Sequence, residues 1–78
     1  MEFDKKKVYT AVNADELQIG SKCIFADTIK ALRRKVQDEG VTDYVMSFVR
    51  LYNRGVDDMF VADDCYTYDY AYLIEQPT

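Results

Sequence analysis

Apolar and polar positions recur along this chain with two periods, and the switch between them predicts one helix among several strands. In KVYTAVN, residues 7–13, Val8, Thr10 and Val12 alternate with Tyr9, Ala11 and Asn13, the period-two pattern of a first strand. ADELQIGSK then reads as a connecting turn in which Gly20 permits a sharp reversal, and SKCIFA, β-branched and aromatic, as a second strand. Asp27 is positioned to cap a helix by accepting the free amide protons of its first turn. TIKALRRKVQDE sets Ile29, Leu32 and Val36 along one side before Gly40 stops the helix. The stripe is narrow, so this helix should lie on a sheet with its Arg and Lys side chains in water.

DYVMSFVRLYN fits both periods: Val45, Phe48, Val49 and Tyr52 suit a helix, whereas Tyr44, Met46 and Phe48 alternate with Val45, Ser47, Val49 and Leu51. Its β-branched and aromatic content favours a strand, and NRG followed by MFVAD makes a hairpin with it. The last strand is CYTYDYAYLIE, ended by Pro77. The expected architecture is α+β over residues 1–78, a single small domain of about ββαβββ order, with one helix packed on a mainly antiparallel sheet of four to five strands.

The last strand raises a question of exposure. In extended backbone Tyr66, Tyr68, Tyr70 and Tyr72 fall on one side, with Ile74 in the same phase. One helix covers one face of a sheet, and the other stays open to water or a partner unless the sheet curls on itself. The rings either pack against neighbouring strands or form a binding surface, a role that suits phenols, which bury a ring while keeping a polar tip wet.

Composition sets the scale. A chain of 78 residues buries about 60% of the surface exposed by its unfolded form, which leaves little room for a separate catalytic cleft. Nearly half of the residues, 49%, are hydrophobic and 14% are aromatic, too many for a disordered chain. Charge is divided along the sequence: residues 1–55 hold ten Lys and Arg against eight Asp and Glu, while residues 56–78 hold six carboxylates and no base. The net charge of −4 argues against direct nucleic-acid binding, which needs a basic face, and is compatible with a basic protein partner. No apolar run approaches the length of a membrane span. MEFDKKKVYT has basic residues with no apolar run behind them, so a cytoplasmic location with reduced thiols is expected.

Candidate chemistry is sparse. With no histidine, the commonest general base and metal ligand is missing. Ser21 and Ser47 lack a nucleophile-elbow setting, and IGSKC lacks the earlier glycine of a phosphate loop. Neither catalysis nor a cofactor is expected. Cys23 and Cys65, without a CxxC pair, read as small buried thiols. The acidic pairs of DDMFVADD do not have calcium-loop spacing, so no metal is expected. They read as turn formers and gatekeepers flanking a short strand, or as an acidic patch whose carboxylates stand in for phosphates in a basic groove of another protein. KALRRK is either the solvated back of the helix or a docking site for an acidic partner, a phosphate, or the acidic end of a second copy.

The run VYTAVNADELQIGSKCIFADTIKALRRKV, with the ending YAYLIE, resembles small proteins carried by tailed phages and mobile elements of gut bacteria. That resemblance implies a non-enzymatic protein that binds a host protein and blocks it, components of antiviral defence included. The leading expectation is a protein-binding module that uses Asp63, Asp64, Tyr66, Tyr68, Asp69 and Tyr70 against a host protein with a basic surface. The alternative is a small-ligand or nucleotide binder in which Tyr68 and Tyr72 stack on a base and Arg33 or Arg34 meets its phosphate. A symmetric homodimer, each acidic end meeting the partner's basic helix, is a further expectation.

Overall fold

The structure, a computed structural model, describes residues 1–53, 55 and 57–77. Its strands are β1 (Val8–Tyr9), β2 (Lys22–Ala26), β3 (Val45–Asn53), β4 (Asp58–Ala62), β5 (Thr67–Tyr68) and β6 (Tyr70–Glu75), with the helix α1 (Ile29–Gln37) between β2 and β3. The α+β class is as expected. The strand count is not: among the described residues a single antiparallel sheet of six strands runs in the order β1-β6-β2-β3-β4-β5.

The extra strand comes from the tyrosine segment, which breaks at Asp69. Before the break, Thr67 and Tyr68 pair with Val61 and Phe60 of β4. After it, β6 lies between β1 and β2, with Tyr72 opposite both Val8 and Ile24. One stretch of sequence therefore serves two distant parts of the sheet.

Local hydrogen bonds explain the shifted boundaries. The first strand stops at Tyr9 rather than residue 13, because the Asn13 side-chain oxygen accepts the Thr10 amide at 2.8 Å and the Thr10 hydroxyl accepts the Val12 amide at 3.3 Å. These bonds turn the backbone out of the ladder. Thr28, not Asp27, caps α1, its hydroxyl accepting the Ala31 amide at 3.1 Å. The helix ends at Gln37, where Asp38 takes extended backbone angles and its carboxylate accepts the Gly40 amide at 2.8 Å. Residues 41–44 form a 3-10 turn, so β3 begins at Val45, and the strand reading of this segment and the β3–β4 hairpin both hold. Arg54 of the expected NRG loop lies outside the described residues.

Partner exchange on β3 shapes the molecule. Val45, Met46 and Ser47 pair with β2, whereas Phe48 to Asn53 pair with β4, and the register shifts between Phe48 and Arg50. Such a bulge bends a strand and sharpens its twist. The sheet consequently curls, and the face away from α1 is covered by the sheet together with Ala14 and Leu17 of the β1–β2 connection, contrary to the open face anticipated for a flat one. Cys23, Phe25, Phe48, Phe60 and Ala62 make the core on that side, with Phe48 and Phe60 edge to face at 5.7 Å. Ile24, Ala26, Leu32, Val36 and Tyr72 make the core under α1. Neighbouring residues of β2 thus enter opposite cores, which accounts for its unbroken apolar run. Among the described residues, no helix is long and apolar enough to cross a membrane.

Candidate interaction surface

The β4–β5 turn, residues 63–66, gathers three of the six residues expected to bind a partner, Asp63, Asp64 and Tyr66, with Tyr68 following on β5. Asp63 extends the β4 ladder by one step: its amide donates to the Ser47 carbonyl at 3.1 Å, and its carboxylate accepts the Ser47 amide at 3.3 Å. Asp64 closes the turn, one carboxylate oxygen accepting the Tyr66 amide at 3.0 Å and the other the Tyr68 hydroxyl at 2.7 Å. Cys65, at the apex, has φ of 71°, a left-handed conformation that costs a residue with a side chain about 1–2 kcal/mol. It is exposed, unlike buried Cys23, so the reading of both thiols as buried fails for Cys65. The turn carries Tyr66 outward, 70% exposed.

Tyr68 stands differently. Its ring packs against Phe25 at 5.6 Å in the core away from α1. Beyond Ile24, β3 no longer accompanies β2, and the Lys35 ammonium reaches this gap, donating to the Phe25 carbonyl at 2.9 Å and lying 5.8 Å from the Tyr68 ring centre and 5.6 Å from that of Tyr44. Lys35 therefore joins helix and tyrosine end. In the sequence it was one cation in a basic run; the signal was its place next to Val36 at the border of the apolar stripe.

The neutral form of the Tyr68 phenol is favoured. Burial pushes its pKa up to about 12, helped by the hydrogen bond to Asp64 and by the charges of Asp64 and Asp27. Because the folded value exceeds the ordinary 10.0, this contribution to stability is complete below pH 10 and is lost as pH rises towards about 12. Ultraviolet titration of folded protein should therefore show a late phenol, and Asp64→Asn, which removes the neighbouring charge, should bring it forward. An unchanged late phase in that variant would remove Asp64 from the account.

Asp69 and Tyr70 do not join the turn. They line an open groove with Asp27, Asp57 and Asp58, and Tyr70 also packs on the core beneath α1. No family model, curated protein or solved structure matches this chain.

The residues of the alternative site are dispersed. Tyr72 is 1% exposed under α1, where its hydroxyl accepts the Asp4 amide at 3.0 Å and donates to the Glu2 carbonyl at 3.2 Å. Tyr68 belongs to the opposite core, Arg34 projects from the exposed side of α1, and the Arg33 guanidinium sits 5.2 Å from the centre of the Phe3 ring. Phe3 in turn stacks on Tyr72 at 5.4 Å, so its ring is engaged by both Tyr72 and Arg33. The phenols of a row expected on one side thus divide between two cores and solvent, because the backbone changes direction at Asp69.

Proposed function

We propose that this chain is a small non-catalytic protein-binding module of the inhibitor kind, acting in the cytoplasm on a host protein with a basic surface through the β4–β5 turn. The exposed ring of Tyr66, held on a turn closed by Asp64, carries this reading. An aromatic side chain on a fixed backbone loses little freedom on docking, and such residues dominate binding energy when a partner desolvates them. Asp63 and Asp64 beside it add negative charge that would steer approach to a basic surface and speed encounter. The resemblance to small phage and mobile-element proteins supports a blocking rather than a catalytic role.

The experiment is affinity capture from host lysate, followed by titration of the purified partner with the wild-type chain, Tyr66→Ala and Ile19→Ala. Ile19 is also an exposed apolar side chain, 69% accessible, but lies outside the turn and serves as the control. Tyr66→Ala should weaken binding at least tenfold, about 1.4 kcal/mol, and added salt should weaken it further, while Ile19→Ala binds as wild type. Equal binding by all three chains would dismiss the turn as the contact surface.

A further inference from the structure

A second surface of the molecule is self-complementary in charge. One open groove of about 540 Å³ runs between the N-terminal segment and the first half of α1, with Phe3, Val8 and Ile29 as its apolar floor and Lys5, Lys30 and Arg33 at its rim. No acidic residue lines it among the described residues. A second groove of about 460 Å³ is lined by Asp27, Asp57, Asp58 and Asp69, and among the described residues no base lines it. The two adjoin, since Thr10 and Ile29 belong to both. At this seam the molecule exposes apolar side chains: Val12 is 93% accessible and Ile29 46%.

From this arrangement we infer that the paired grooves are a homodimer interface, the occupant of each being a second copy of the chain. A twofold interface uses the same patch on both copies, so it must match itself after a half-turn. A basic and an acidic groove side by side meet that condition: with the axis near Thr10 and Ile29, each basic groove faces the partner's acidic one, and Val12 and Ile29 of both copies meet at the centre. The apolar seam supplies burial and the flanking charges fix register and exclude other pairings. A metal is a poorer occupant for the acidic groove, because among the described residues no cluster of three or more potential ligands is arranged to hold one. A nucleobase is a poorer occupant for the basic groove, because the Phe3 ring is already stacked on Tyr72 and engaged by the Arg33 guanidinium.

The surface used here is not the β4–β5 turn, so dimerisation and partner capture can be tested apart. Sedimentation equilibrium of the full chain over micromolar to millimolar concentrations should show a monomer–dimer equilibrium that shifts to monomer with added salt. Lys30→Glu with Arg33→Glu makes both grooves acidic, and Asp57→Lys, Asp58→Lys and Asp69→Lys together make the second groove basic; each variant alone should dissociate at least tenfold more readily. Mixed in equal amounts they should form a heterodimer, because native groove then faces native groove and reversed faces reversed. Val12→Arg, at a site too exposed to affect folding, should also yield monomer. A wild-type chain that stays monomeric at low salt overturns the inference. So does a dimer indifferent to these substitutions, which would point to pairing through the strand edges at β1 or β5, and so does failure of the mixed variants to associate.

Discussion

Phe25→Ala should destabilise the protein by about 3–5 kcal/mol, the usual loss for deleting a buried aromatic ring. Phe25 is fully buried on β2, packed with Phe48 and Phe60 and with its ring tilted against that of Tyr68. The loss is large against a total of about 5–15 kcal/mol for a native domain, so much of the variant population is expected to be unfolded on warming. Its size depends on the curl of the sheet. Were the face away from α1 open to water, as a flat sheet under one helix would leave it, the same substitution would fall within about 0.5 kcal/mol. Urea denaturation, read from the midpoint at constant slope, separates the two cases. Tyr68 gives an internal check, because removing the Phe25 ring exposes its phenol and should bring its late ionisation down towards 10.0.

The same curl marks the limit of what local pattern conveys. The helix was legible because Leu32 and Val36 recur at helical spacing, and the β3–β4 hairpin because its strands are β-branched and aromatic. Neither the bulge near Val49 nor the break at Asp69 carries a glycine or proline, the residues that normally announce such changes of direction. At each, the chain passes from one partner strand to another, a long-range matter that spacing along the chain does not encode. At the candidate site the sequence supplied the cluster Asp63, Asp64 and Tyr66. It did not separate their duties. Asp64 spends both carboxylate oxygens on closing the turn, and that depends on a left-handed backbone at Cys65, which a residue with a Cβ seldom adopts. Asp27 and Thr28 are both able caps one residue apart, and only the backbone path into α1 chooses Thr28.

Tyr72 is the largest fully buried side chain, and Tyr72→Ala should cost about 3–5 kcal/mol while Tyr72→Phe costs about 1–2 kcal/mol. The two values measure different things. Alanine empties the centre of the core between α1 and the sheet and takes away the platform on which Phe3 stacks. Phenylalanine keeps that platform and removes only the hydroxyl, leaving the Asp4 amide and the Glu2 carbonyl without their partner. Those groups are partly buried, so water can replace some of what is lost, and the expected cost stays near that of ordinary hydrogen bonds. Amide exchange distinguishes the effects residue by residue: Tyr72→Phe should release the Asp4 amide while Ile24 and Phe25 on β2 keep their protection, whereas Tyr72→Ala should lower protection throughout β2 and β6. A near-neutral Tyr72→Ala would return this ring to the surface, and with it the single tyrosine face that the alternation of the last strand suggests. A large loss would leave Tyr66 as the phenol of that row free to meet another molecule, since Tyr68 and Tyr70 are each half-sunk in a core.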